Sequence, residues 1–199
     1  MLDSSLPSGM NERLAPGEYY HICSHAVGSD KLFVSNDNYH YFLRRYCDFI
    51  SPIADTLAYC LMPNHIHFFI EMRNQIDLPE GYRYSVNDFI SKQFSNLFSS
   101  YAQAFNKQQK RRGALFYSRF NRKNVDTDRY FTNLIVYIHR NPVASGITDE
   151  INDWKYSSYN LIAQSDETFI ARDKVINWFG NLDNFHAAHR CKTTFQPDA

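Results

Sequence analysis

The sequence predicts an α+β domain built on a mostly antiparallel sheet, and three observations carry that prediction. Stretches of period 2 and period 3.6 follow one another in the order β-α-β-β-α-β-α. A Pro63-Asn64 turn sits between two apolar strand patterns and folds one back on the other. Tyr and Phe, 14 and 16 of the 199 residues, are the one compositional excess, which suits a sheet packed with rings.

Taken in order, residues 1–18 are Ser-, Pro- and Gly-rich and are expected to be a flexible leader. Residues 19–27 (YYHICSHAV) form a first strand. From 38 to 50, apolar or aromatic side chains recur at 39, 42, 43, 46, 49 and 50, a helical spacing. Residues 56–62 (TLAYCLM) are a second strand and 65–72 (HIHFFIEM) a third. A long helix follows over 85–106, with Phe89, Phe94, Leu97, Phe98, Tyr101 and Phe105 on one stripe. Gly113 breaks that pattern, and a short strand is expected near 115–120. Asp126 or Thr127 caps a helix running to about Arg140. Asn141-Pro142 is expected to stop it, because proline disfavours α geometry in the residue before it. The first six elements match a ferredoxin-like, split β-α-β sandwich with helices on one face. Residues 161–199 are polar with scattered rings (Phe169, Trp178, Phe179, Phe185) and are expected to pack on the domain as a C-terminal extension.

Composition narrows the function classes. At 44% hydrophobic and 21% charged residues, a 23.4 kDa chain can build one core, and global disorder is excluded. Acidic and basic residues balance at 21 each, which excludes a uniformly basic coat. The balance is local as well as global: residues 1–141 carry net +3 and 142–199 net −3, and 107–123 holds seven basic residues and no acidic one. Apolar runs such as 134–136 fall far short of the about 18 residues that span a bilayer, and no secretory leader is visible. Cys23, Cys47, Cys60 and Cys191 form no C-x-x-C pair, as expected of thiols in a reducing cytoplasm. Phosphate-binding glycine loops, dinucleotide fingerprints and serine-hydrolase elbows are absent, so no nucleotide cofactor is expected.

Three constellations remain. On a strand, residues i and i+2 share a face, so His65 and His67 leave one side of the sheet while Ile66 and Phe68 enter the other. Two parallel imidazoles are half of a metal site, or else two polar residues on a half-exposed strand. The apolar residues on both sides favour buried surroundings for the pair. Tyr137 and Asn141, in VYIHRNPV at 136–143, lie four apart on the final helical turn. Spacing alone also allows a packing tyrosine and a capping asparagine; His139 points to another face. Lys107, Lys110, Arg111, Arg112, Arg119, Arg122 and Lys123 adjoin Phe116, Tyr117 and Phe120. Such a segment either follows a phosphate backbone, with rings for unstacked bases, or is a solvated helix end and loop.

Together these stretches resemble the HUH single-tyrosine transposases of the insertion-sequence-200-like type, and within them the REP-associated tyrosine transposase branch. The resemblance covers about residues 19–160. It rests on YYHICSHAV at 19–27, AYCLMPNHIHFFIE at 58–71, SSYAQAFNKQQKRRGALFYSRFNRKNV at 99–125, DRYFTNLIVYIHRNPVASGI at 128–147 and WKYSSY at 154–159. The joint presence of MPNHIH and YIHRNPV makes it specific. The resemblance implies that 19–160 is the catalytic domain, ending in a nucleophile-bearing helix. In it His65 and His67 hold Mg²⁺ or Mn²⁺, Asn141 completes the metal site, and Tyr137 is the nucleophile. It further implies cleavage and rejoining of single-stranded, hairpin-forming DNA through a 5′-phosphotyrosine, with a homodimer as a known arrangement. The basic segment is the expected path of the strand. Two other functions stay open: a non-catalytic, domesticated single-stranded nucleic-acid-binding protein, and a metal-dependent nuclease that uses water.

Overall fold

Four strands, β1 (Tyr19–His25), β2 (Ala54–Leu61), β3 (His65–Met72) and β4 (Asn121–Val125), pair in the order β2-β3-β1-β4. Every pairing is antiparallel. The structure is a computed structural model and describes residues 13–117, 120–164, 168–191, 195 and 197. The ferredoxin-like α+β architecture expected from the element order is the one observed.

One face of the sheet is covered by α1 (Asn36–Phe49) and α2 (Val86–Gln108). Phe68 of β3 stacks on Tyr46 of α1 with ring centroids 4.2 Å apart. The Tyr101 hydroxyl of α2 donates to the Leu32 carbonyl at 2.5 Å. Ser85 and Asp88 close a reciprocal capping box at the start of α2. The other face is not left open: α3 (Asp128–Ala144) crosses it, with Phe131 5.5 Å from Phe69 between centroids. The two helices of the first six elements thus share one face as expected, and α3, the seventh, closes the other. The adjacent strands β2 and β3 are buried at seven of eight and six of eight positions rather than at alternate ones, so both faces need a cover.

Two boundaries differ from the sequence reading. The strand expected near 115–120 begins only at Asn121. Phe116 makes an isolated bridge to Ala26, while its ring and that of Phe120 pack on Phe98 of α2. The helix expected to end at Arg140 runs through Pro142 to Ala144, so Asn141 is a helical residue and not a cap. Proline forgoes only its own bond to the residue-138 carbonyl there. The following turn is intact, with Ser145 N–H donating to the Asn141 carbonyl at 2.9 Å. Leu134, Ile135 and Ile138, fully buried, hold that helix to the sheet against the local preference.

Residues 13–18, assigned to the leader, are tied down: Leu14 is buried, and Gly17 N–H donates to the Met72 carbonyl at 2.9 Å. Residues 1–12 lie outside the described residues. The C-terminal extension holds helices the sequence did not announce: α5 (Arg172–Phe179) and α6 (Leu182–Arg190), after a short α4 (Tyr159–Ala163). Trp178 lies 4.7 Å from Phe131 between centroids. His139 of α3, fully buried, joins α6 through a chain with one direction. His189 Nδ1 donates to the Phe185 carbonyl (2.7 Å), so its Nε2 accepts from His139 Nδ1 (2.8 Å), whose Nε2 accepts from the Ser158 hydroxyl (2.7 Å).

Candidate active site

The residues facing α3 are fixed by strand register. His25 pairs with His65, Cys23 with His67 and His21 with Phe69 across β1 and β3. Lys123 and Asn121 of β4 pair with His21 and Cys23 on the outer side of β1. Odd-numbered residues of β1 therefore share one face with both candidate metal ligands, and α3 lays Tyr137 over them. The Tyr137 ring stands edge-on to His67, centroids 5.6 Å apart at 81°, and to His21 at 6.5 Å.

The imidazoles of His65 and His67 are close, 5.0 Å between centroids, but nearly perpendicular at 82°, where the strand geometry had suggested parallel rings. Each ring is turned by its own partner. His65 Nδ1 donates to Asn64 Oδ1 at 2.9 Å, and His67 Nδ1 meets His21 Nε2 at 3.0 Å, the latter pair buried. The Nδ1 proton of His65 leaves its Nε2 lone pair for a ligand, and His67 offers the same lone pair in the tautomer whose Nδ1 donates to His21, the arrangement by which outer partners prepare histidines for a cation. Burial pushes the His65 imidazole down to about 4, with the nearby His25 adding to the effect and the Asn141 side chain opposing it. Burial holds His67 well below the ordinary histidine range, aided by His21, His65 and His25. Both rings are neutral, as a metal ligand must be.

Asn141 is the junction of the site. Its Nδ2 donates to the Tyr137 carbonyl at 3.0 Å, and its amide is the polar neighbour of both the His65 ring and the Tyr137 phenol. Burial raises the Tyr137 pKa and the Asn141 side chain draws it down. The phenol is thus protonated at neutral pH. His65, His67, Tyr137 and Asn141 lie together on this face of the sheet. His139 stays outside, on the α6 side of α3. Among the described residues, no group of three His, Cys, Asp or Glu side chains is placed to hold an ion. The donor set available is two imidazoles and one amide. It fits a divalent cation that tolerates nitrogen ligands, Mn²⁺ more than Mg²⁺.

The sequence reading did not single out His21, which orients His67. Its signal was the period-2 run His21, Cys23, His25, but which strand that run faces is decided by pairing. His21 is itself pushed down to about 4, by burial and by the Lys123 charge.

The basic segment does not act as one patch. Lys107, Lys110 and Arg112 are exposed around the end of α2. Arg111 pairs with Asp30 and bonds Asn106 Oδ1 at 2.8 Å and the Ala114 carbonyl at 2.9 Å, so it closes a loop. Lys123 lies on the face of His21 and Tyr137, 5.6 Å from the Tyr130 ring centroid, and Arg122 on the opposite face beside Phe120. Arg119 lies outside the described residues.

No family model matches the chain. A Haemophilus influenzae protein, named provisionally as a REP-associated tyrosine transposase, is 28% identical over 109 residues. That match takes in 53% of this chain and 59% of the relative's length, so the chain spans under two thirds of it. A solved structure of a REP-associated tyrosine transposase bound to a REP hairpin aligns with a TM-score of 0.54 at 18% identity, over 82% of this chain and 90% of that one. At that identity the shared property is the fold. The Haemophilus influenzae relative carries the name of the branch that the motifs resemble. No helix among the described residues is long and apolar enough to cross a membrane.

Proposed function

We propose that this chain is a DNA transposase of the REP-associated tyrosine type, which cleaves and rejoins one strand of hairpin-bearing DNA through Tyr137. The observation that carries the proposal is the convergence of a phenol, two neutral imidazoles and a bridging amide on one face of the sheet. The hairpin partner is taken from the REP hairpin bound by the structural neighbour.

In the cleavage step the Tyr137 oxygen attacks the scissile phosphorus and the P–O3′ bond breaks. The phenolic proton is lost and the 3′ oxygen leaves as a hydroxyl, giving a 5′-phosphotyrosine. Attack by a 3′-hydroxyl reverses the sequence and restores the phenol. The bond's free energy stays in the covalent adduct, so no nucleotide cofactor is needed. A phenol ionising near ~10 is a poor nucleophile at neutral pH. Asn141 stabilises its ionised form against the burial that opposes it. His65, His67 and Asn141 would hold the divalent cation, which supplies Lewis acidity toward the scissile phosphate. Lys123 places a positive charge on the same face for the incoming backbone. Four free thiols accord with action in the cytoplasm.

The test is Tyr137→Phe on a labelled REP-type hairpin with a single-stranded flank. The variant is expected to bind the DNA as the parent does and to form no covalent adduct on denaturing gels. An adduct that persists in the Phe variant removes Tyr137 as nucleophile. Cleavage that leaves free 5′ phosphates points to a water-using nuclease instead.

A further inference from the structure

Two residues beyond Tyr137, about 200° around the helix, α3 presents the fully buried His139 to the C-terminal extension. His139 is outside the candidate ligand set, yet it belongs to a continuous run of buried hydrogen bonds. The run starts on the sheet, where Tyr59 N–H of β2 donates to Ser158 Oγ at 2.8 Å. Ser158 donates to His139, His139 donates to His189 of α6, and the far nitrogen of His189 ends the run on the Phe185 carbonyl. Tyr59 pairs with Phe68, the neighbour of His67 on β3, so the run refers α3 to the strand that carries the imidazoles. A second tie lies beside it, from the Arg140 guanidinium to the His189 carbonyl at 2.8 Å. His189 therefore holds α3 at two successive residues, once by its ring and once by its main chain. Phe185, fully buried with its ring 4.2 Å from that of His189, seats α6 there.

The two residues so held fall inside the turn that carries the site, between Tyr137 and Asn141. In that turn Pro142 deprives the Ile138 carbonyl of its helical donor, so α3 is one internal bond short where the placement of Tyr137 against Asn141 matters. Leu134, Ile135 and Ile138 press the helix onto the sheet, but apolar burial has no direction and leaves rotation about the axis soft. The bonds at His139 and Arg140 are directional, and a buried polar run with every member satisfied rigidifies one arrangement. Cover alone would be given as well by apolar side chains; Ser158, His139 and His189 in line fix an angle. A rotation of α3 by about 10° carries a phenol oxygen roughly 7 Å from the axis through about 1 Å, and a misplacement of that size costs about a hundredfold in rate. We propose that His189 is a positioning residue, which through His139 and Arg140 sets the rotation of α3 and so the aim of Tyr137 and Asn141 over His65 and His67; this deepens the transposase reading above and rests on it.

The test is single-turnover adduct formation in Mn²⁺ on a labelled DNA hairpin with a single-stranded flank, at saturating DNA and well below the melting temperature of every variant. His189→Leu keeps the bulk and removes both ring nitrogens. Its rate is expected to fall about 10–100-fold while its affinity for the hairpin stays at the parent value. His189→Gln returns an acceptor to His139 and is expected to recover most of that loss, which a role in stability alone would not do at equal folded fraction. If His189→Leu fails to fold, Arg140→Met, at a partly buried residue, removes the second tie and is expected to slow the adduct step in the same way. Adduct formed at the parent rate in the folded Leu and Met variants, a Gln variant as slow as Leu, or a loss confined to DNA affinity overturns the positioning role and leaves Tyr137 as nucleophile. A parent protein that binds the hairpin and forms no adduct removes the transposase reading, and the positioning role with it.

Discussion

His21→Phe isolates the orienting contact behind the candidate metal ligands. Phenylalanine keeps a ring beside His67, whose own ring now stacks on His21 at 5.2 Å and 18°. What it removes is the hydrogen-bond partner of His67 Nδ1, at 3.0 Å and buried on both sides. An unsatisfied buried donor costs about 1–3 kcal/mol. His67 avoids that penalty by moving its proton to Nε2 and letting Nδ1 take the unpaired position, but the lone pair is then lost to a cation. Either way Mn²⁺ affinity is expected to fall by about 10–100-fold, the usual effect of removing an outer partner of a metal-bound histidine. Titration of the apoprotein with Mn²⁺, followed by the loss of the free-ion electron paramagnetic resonance signal, reads this without any turnover. His67→Ala sets the floor. If His21→Phe bound Mn²⁺ as tightly as the parent, the orienting role would be wrong.

Two further predictions concern charge. His189 is buried against His139, and burial takes it down to about 4; the His186 and Arg140 charges act in the same direction and its bond to the Phe185 carbonyl acts against them. An unfolded chain takes up this proton as pH falls through about 6.5 while the folded one resists, so its contribution is complete above that value and is lost toward about 4. Urea unfolding of the parent and of His189→Gln is expected to differ in its pH dependence by an amount approaching ~3 kcal/mol across that window, and profiles that run parallel contradict the neutral, buried assignment. Among the arginines and lysines, Arg111→Ala is expected to lower stability by about 1–2 kcal/mol without altering the salt dependence of DNA binding. Lys107→Ala and Arg112→Ala should each reduce the slope of log K against log salt by about 1; equal slopes in all three variants would place the backbone contacts elsewhere.

How much of this was legible in the sequence depends on whether a feature is local. That His65 and His67 share a face and that a stripe runs along α2 follow from periodicity; the 82° between the two rings does not, because each is turned by its own partner. Asn121–Val125 (NRKNV) escaped because an edge strand carries little apolar alternation, while Phe116 and Phe120, which resembled strand residues, serve to cover α2. Pro142 misled because a nearest-neighbour preference yields to a helix face buried along its length. His21 was invisible for a different reason: its value lies in a partner 46 positions away. The two helices of the extension are short, and their rings answer to α3 and β3 rather than to a repeat of their own.

Among the described residues β4 pairs with β1 and stands at one end of the sheet, where the consecutive side chains Arg122 and Lys123 turn to opposite faces. Under the proposal that the chain handles DNA, that end of the sheet would carry positive charge to both of its faces within a single residue's rise.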